Sequence, residues 1–72
     1  MTEEILNKII CSNIKRYRTK ETNLRQEDLA RKAGVSRSSI AAIEGKRSYN
    51  VSMYKLYKIA RALNVSIEDL IK

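Results

Sequence analysis

The sequence of 72 residues contains no histidine, no proline and a single cysteine, Cys11. Without histidine, Ser-His and Cys-His catalytic arrangements are excluded, and so are metal sites built from clusters of histidine and cysteine. An internal disulfide needs two cysteines, and a lone cysteine suits a reducing compartment. We therefore expect a cytoplasmic protein that is not an enzyme, binds no metal and needs no cofactor.

Long apolar runs are also missing from the sequence. No segment approaches the roughly 20 consecutive apolar residues that a membrane-spanning helix requires. The N-terminal region lacks an apolar run of secretory length. A chain of this size has room for one small domain, so we predict a single domain over residues 1–72 without a membrane anchor.

Positive charge is what the sequence has in excess. Fifteen lysines and arginines stand against eight acidic residues, so the formal net charge is +7. A charge this high on a short chain indicates an anionic partner such as nucleic acid or a membrane surface. Membrane binding is the weaker alternative, because it needs one long amphipathic face. The other alternative is that the charge only keeps a small protein soluble.

The spacing of the apolar residues predicts the fold class. They recur at intervals of three and four residues, which is the period of amphipathic helices. The pattern predicts an all-α fold, a compact bundle of five helices at about 3–20, 26–33, 36–44, 53–63 and 67–71.

Hydroxyl side chains mark the expected helix starts. The predicted N-caps are Thr2, Ser36, Ser52 and Ser66, and Asp69 is placed to complete a capping box with Ser66. Residues 46–51 are expected to form a polar, basic loop before the fourth helix. The expected inner face of that helix consists of Met53, Leu56, Ile59, Ala60 and Leu63.

Gly34 interrupts the helical pattern between the second and third predicted helices. The position after a helix end commonly takes a left-handed conformation that glycine adopts at low cost. Two short helices joined by Gly34-Val35-Ser36 can then pack at a steep angle instead of continuing as one rod. Ala30 fits this arrangement, because a methyl group lets two helices cross closely.

The segment around this turn reads Gln26-x-x-x-Ala30-x-x-x-Gly34-Val35-Ser36-x-x-x-Ile40-x-x-Ile43-Glu44, and it is continued by 58–65 and 66–70. This pattern resembles the helix-turn-helix motif of the Cro/phage-repressor (XRE) family. The resemblance extends over about residues 13–71 and implies a lambda-repressor-like fold with the helix-turn-helix at about 26–44. It also implies a sequence-specific transcriptional regulator that binds double-stranded DNA, similar in size to restriction–modification controller proteins.

The third helix is the expected recognition helix, over about residues 36–44. With its isoleucines turned inward, its outer face carries only Arg37, Ser38, Ala41 and Ala42, and such a slim face can enter a major groove about 12 Å wide. Arg37 is expected to pair with guanine, Ser38 to contact a base edge or phosphate, and the alanines to touch thymine methyl groups. The alternatives are a phosphate contact for Arg37 and plain helix-forming roles for the alanines.

Phosphate contacts are expected on both sides of this face, because they fix the register of a protein on DNA. The resemblance implies them for Gln26 and for the loop after the third helix. The complete set of expected phosphate residues is Arg25, Gln26, Ser36, Ser39, Lys46, Arg47, Ser48 and Tyr49.

Two charged positions need separate explanations. The family often has Ser or Thr where this chain has Arg25, and the lost cap costs about 1 kcal/mol. Glu27 and Asp28 can offset part of that cost, and Arg25 is either a phosphate contact or a tolerated substitution. The resemblance implies that Glu44 pairs with Arg18, so we predict a partly buried ion pair between them.

The resemblance also implies a homodimer on a palindromic operator, with the recognition helices about 34 Å apart. The candidate interface residues are Val65, Ile67, Leu70 and Ile71, with Tyr57 as a further candidate, although some of them must belong to the core. RNA polymerase is a candidate partner, and contacts with it decide between repression and activation. The alternative function is an antitoxin or adaptor whose main partner is another protein.

Overall fold

The computed structural model describes residues 2–45 and 50–72, and these residues form five α-helices with a π-helical turn after the first. None of the helices in these two ranges has the length and apolar character needed to cross a membrane. The all-α prediction is confirmed. The elements are α1 (Glu3–Arg16), the π-helical turn (Tyr17–Glu21), α2 (Gln26–Ala33), α3 (Arg37–Glu44), α4 (Met53–Leu63) and α5 (Ile67–Leu70).

Hydroxyl caps set the predicted helix starts. Thr2, Ser36, Ser52 and Ser66 each accept a hydrogen bond from the backbone N–H three residues further on, at 3.0–3.2 Å. These bonds satisfy donors that the first turn of a helix leaves unpaired. Asp69 completes the capping box of α5 by accepting from Ser66 N–H at 3.0 Å, and this bond holds the pKa of Asp69 below its usual value.

The end of the first helical segment is wider than an α-helix. The N–H of Thr22 donates to the carbonyl of Tyr17, five residues earlier, at 3.0 Å. The hydroxyl of Thr22 also donates to the carbonyl of Arg18 at 2.9 Å. Side chains that bond back to earlier carbonyls bend helices. Arg18 therefore projects from a π-helical turn, which the apolar spacing did not predict.

The core draws residues from every helix. α2 packs against α3 and α4, while α1 packs against α3 and α5. Ala30 is 4% exposed, as expected for a small residue at a close helix crossing. This packing supports α3 from behind and leaves its opposite face free. The largest fully buried side chains are Ile14, Leu29, Ile40, Ile43, Ile59 and Leu70.

The prediction that Met53 faces the core is wrong. Met53 is 69% exposed, whereas Val51 is only 8% exposed. Val51 precedes the Ser52 cap and Leu56 is the fourth helical residue, which is the spacing of a hydrophobic staple. The residue before the cap therefore closes this end of the core, and the first residue of α4 lies at the edge of the inner face.

The prediction that Leu70 belongs to a dimer interface is also wrong. Leu70 is fully buried, and the side chain of Asn13 donates a 2.8 Å hydrogen bond to its carbonyl, tying the C-terminal segment to α1. Val65 and Ile67 are partly buried against the core, and Ile71 is 39% exposed.

Gly34 and Gly45 both follow a helix end, but they differ in conformation. Gly34 has φ +71° and ψ +34°, in the left-handed region, as predicted. Its N–H and that of Val35 return to carbonyls of the last turn of α2. Gly45 has φ −68° and ψ 174°, which any residue can adopt.

We predict that Gly34→Ala destabilises the fold by about 1–2 kcal/mol, because an L side chain is strained in the left-handed region. Gly45→Ala is the matched control. Its added Cβ would lie 3.4 Å from two carbonyl oxygens of α3, an ordinary contact, so the expected change is small. Urea denaturation followed by circular dichroism measures both. Equal losses in the two variants would refute the role given to Gly34.

Candidate nucleic-acid interface

The exposed face of α3 consists of the four residues predicted to read DNA bases. Ile40 and Ile43 are fully buried, and the opposite side of the helix therefore faces outward. Arg37 starts the helix and is the only charged residue on this outward side. Arg37, Ser38, Ala41 and Ala42 are all exposed, as the sequence pattern predicted. Their contact with DNA stays a prediction.

A buried ion pair holds the far end of α3. Arg18 Nε lies 2.6 Å from Glu44 Oε2, and Arg18 Nη2 donates to Glu44 Oε1 at 2.7 Å. The two side chains are 12% and 2% exposed, respectively. Arg18 Nη1 also donates to the carbonyl of Leu24 at 2.7 Å. The predicted pair is confirmed, and its bidentate geometry connects the π-helical turn to α3.

The electrostatic effect of this pair is local. The hydrogen bond with Glu44 raises the pKa of Arg18, and the charge of Glu44 adds to this effect, while burial opposes it. Arg18 therefore keeps its positive charge beside Glu44. Because the negative charge of Glu44 is compensated and buried, it does not repel a polyanion in front of α3.

Gln26 is joined to the same pair. Its amide nitrogen donates to Glu44 Oε1 at 3.1 Å, and the residue is half-buried at the start of α2. The neighbouring carboxylate can only accept, so the amide nitrogen must face it. One amide hydrogen is thus engaged, and the second is the donor left for a phosphate. The predicted phosphate contact of Gln26 stays a prediction that depends on this second hydrogen.

Arg25 occupies the N-cap of α2 without a hydroxyl. Asp28 Oδ2 accepts from the backbone N–H of Arg25 at 3.2 Å and from its Nε at 3.1 Å, and Glu27 lies 3.2 Å from Nη1. These contacts lower the pKa of Asp28 and raise that of Arg25. Glu27 and Asp28 thus both contact Arg25, as the expected offset requires, and the size of that offset stays a prediction. The Arg25 side chain is 74% exposed and remains accessible to a phosphate.

Ser36 and Ser39 form a small polar cluster at the start of α3. Their hydroxyl oxygens lie 2.9 Å apart, and Lys55 Nζ of α4 donates to Ser39 Oγ at 3.3 Å. The sequence pattern did not point to Lys55, because it lies 16 residues from Ser39 in sequence and outside the helix-turn-helix.

The remaining expected phosphate residues, Lys46, Arg47, Ser48 and Tyr49, lie outside the described residues.

Comparison with known proteins supports the arrangement. The chain matches the model of a family described as helix-turn-helix over residues 14–70. It is 49% identical, over 59 residues, to an uncharacterized helix-turn-helix-type transcriptional regulator from Methanocaldococcus jannaschii, covering 82% of this chain and 86% of that protein.

Two solved structures show the same fold. The restriction–modification controller protein C.AhdI from Aeromonas hydrophila has a TM-score of 0.77 and 31% identity, covering 86% of this chain and 91% of that one. A structure of SinR, the master regulator for biofilm formation, in complex with DNA has a TM-score of 0.79 and 38% identity, covering 88% and 98%. SinR is known from Bacillus subtilis, and the match spans 56% of its full length.

We predict that Arg18→Ala destabilises the fold by about 3–5 kcal/mol, because it leaves the carboxylate of Glu44 buried without a partner. Replacing both residues with methionine should be less damaging, since neither charge is then buried. Arg31→Ala is the control: its ion pair with Asp28 is 3.6 Å long and the Arg31 side chain is 74% exposed, so the loss of this pair should cost less than about 1 kcal/mol. Urea denaturation measures the free energy of unfolding of all three variants. An unchanged value for Arg18→Ala would contradict the stabilising role given to the Arg18–Glu44 pair.

Proposed function

This chain belongs to the helix-turn-helix family and is a DNA-binding transcriptional regulator of the XRE and controller type, and we propose that it acts as a homodimer on a palindromic operator. α3 is the recognition helix and enters the major groove. The observation that carries this proposal is the slim outward face of α3, which begins with the exposed Arg37. RNA polymerase is a further partner if the regulator activates transcription, and we place the protein in the cytoplasm.

The residue types on α3 determine how it would read a sequence. A guanidinium group can donate two hydrogen bonds to guanine O6 and N7, so Arg37 selects a guanine in each half-site. The hydroxyl of Ser38 contacts a neighbouring base edge or phosphate. The methyl groups of Ala41 and Ala42 leave room for the groove wall and contact thymine methyl groups.

Phosphate contacts would hold α3 in register. The described candidates lie at the starts of α2 and α3, where unpaired backbone N–H groups also favour anions. They are Arg25, Gln26, Ser36 and Ser39, and the loop residues Lys46, Arg47, Ser48 and Tyr49 complete the set. The solved SinR complex contains DNA, and its similarity to this chain supports the same mode of docking here.

The small size of the domain favours a dimer. A single DNA-binding module buries only about 600–1,000 Å² of protein surface, which limits its affinity and specificity. Exposed apolar side chains near the C-terminal end offer a surface for a second copy, namely Ile71 at 39% exposure and Tyr57 at 47% exposure. Val65 and Ile67, which are half-buried, would contribute their remaining surface.

We predict that Arg37→Ala weakens binding to the preferred operator by about 1–3 kcal/mol and relaxes the preference at one base pair of each half-site. Selection of bound duplexes from a random pool, followed by titration, measures both effects. Arg31→Ala removes the same charge outside the reading face and should keep the full preference.

Three outcomes of this experiment would contradict the proposal. One is the absence of any enriched sequence for the unmodified protein. Another is an unchanged base preference in the Arg37→Ala variant. The last is DNA binding that is insensitive to Arg37→Ala together with a protein that co-purifies in stoichiometric amount, which would support the antitoxin or adaptor function instead.

We predict a dimer at tens of micromolar in analytical ultracentrifugation, and at least about a tenfold weaker dimer for Ile71→Lys, because a buried ammonium group is costly. Ile5→Lys is the control, since Ile5 is 50% exposed but lies on α1. A monomeric wild-type protein would contradict the dimer. If Ile5→Lys dissociates the dimer and Ile71→Lys does not, the interface lies on α1 and not at the C-terminal end.

A further inference from the structure

A cationic groove lies between α2 and α4, and none of its lining residues belongs to α3. It has a volume of about 310 Å³ and is lined by Lys32 and Ala33 of α2 and by Lys58, Arg61 and Ala62 of α4. Ala33 is buried and Ala62 is half-buried, so the floor consists of methyl groups and the walls carry the charges. We refer to these five residues as the α2–α4 groove.

The positive charges of this groove are not compensated within residues 2–45 and 50–72. The carboxylates that form ion pairs there bind other cations: Glu44 binds Arg18, while Glu27 and Asp28 bind the arginines of α2 and its cap. No ion pair in these ranges involves Lys32, Lys58 or Arg61. Like charges gathered in one groove repel one another, and they create a site for an anion.

Two of the three cations are held in place by neutral groups. Lys58 Nζ donates to the carbonyl of Gly34 at 2.9 Å and lies 4.6 Å from the centroid of the Tyr54 ring. Arg61 Nη1 donates to the hydroxyl of Tyr57 at 3.0 Å. These partners orient the cations without neutralising them, so less side-chain entropy is lost when an anion binds.

The groove is continuous with the helix-turn-helix. Lys58 reaches Gly34 in the turn between α2 and α3, and Lys55 reaches Ser39 in the first turn of α3. Lys55, Lys58 and Arg61 follow one another at every third position of α4, over about 9 Å of helix. That length equals the rise of roughly two to three base pairs of B-DNA. The row of cations thus begins beside the first turn of the recognition helix and continues away from it along α4.

We propose that the α2–α4 groove binds the phosphate backbone of the DNA that flanks each half-site, an inference that rests on the proposed DNA-binding function. Lys32 and Arg61 contact flanking phosphates, while Lys58 contacts the turn and the DNA together. An acidic protein segment is the competing occupant. DNA is favoured because the row begins at the recognition helix and because the methyl floor offers no deep pocket for the buried apolar anchors of a protein interface.

The test compares two duplexes that carry the selected operator, one ending at the half-sites and one extended by about ten base pairs on each side. The variant is Lys32→Gln/Arg61→Gln, which keeps Lys58 and its bond to Gly34. The control is Lys8→Gln/Lys72→Gln, which has the same net charge but changes α1 and the C-terminus. Circular dichroism and thermal melting establish that both variants fold.

We expect the groove variant to bind the extended duplex about tenfold more weakly at low salt and the short duplex as the wild type does. The slope of log affinity against log salt on the extended duplex should fall by about two, since each lost phosphate contact removes roughly 0.9. The control variant should lose equally little affinity for both duplexes.

Other results would overturn the inference. If the groove variant loses the same affinity for both duplexes, as the control does, its charges act through long-range electrostatics and not through contacts with flanking phosphates. If it keeps its affinity for DNA but loses affinity for a polyglutamate peptide, the occupant is an acidic protein segment. A wild-type protein that binds neither duplex would refute the proposed function itself, whereas wild-type binding with an unaffected groove variant refutes only the flanking contact.

Discussion

The left-handed backbone at Gly34 sets the position of every element that follows it. It ends α2 and turns the chain so that α3 crosses in front of the domain instead of extending α2. Once that bend is made, Ile40 and Ile43 are drawn into the core and the remaining residues of α3 face outward. Ala30 permits the close crossing, and Lys58 bonds to the Gly34 carbonyl from α4. The reading face is therefore a consequence of one backbone conformation and the packing behind it.

Electrostatics then separates structural charges from those left for a partner. Glu44 is compensated by Arg18 and receives a hydrogen bond from Gln26, and Asp28 is engaged with Arg25. The negative charges of these acids are neutralised within the fold, close to the helix ends that the acids stabilise. Lys58 and Arg61 of α4 face neutral partners instead, a carbonyl and two tyrosine side chains. Part of the positive charge is thus gathered in one place, the three cations of the α2–α4 groove.

Local features of the fold and site could be predicted from residue types and spacing. The hydroxyl caps, the turn at Gly34 and the outward position of Arg37 each depend on a few neighbouring residues. The Arg18–Glu44 pair was predictable only because the sequence resembles a family in which that pairing occurs. Lys55 and the α2–α4 groove were not predictable, because their partners lie on other helices. Met53 and Leu70 were assigned wrongly for a related reason: helical periodicity gives a face, but not what covers it at the helix ends.

Residue types and their spacing are enough to fix the helical fold class, the bend and the excess of positive charge, since these follow from periodicity, from the freedom of glycine and from composition. Helix packing, in contrast, fixes which apolar residues of the C-terminal segment are core, because Leu70 is buried through the packing of α5 on α1 and α4. It also decided where the cations gather. Burial and charge proximity are sums over contacts between distant segments, and no single segment contains the information that fixes them.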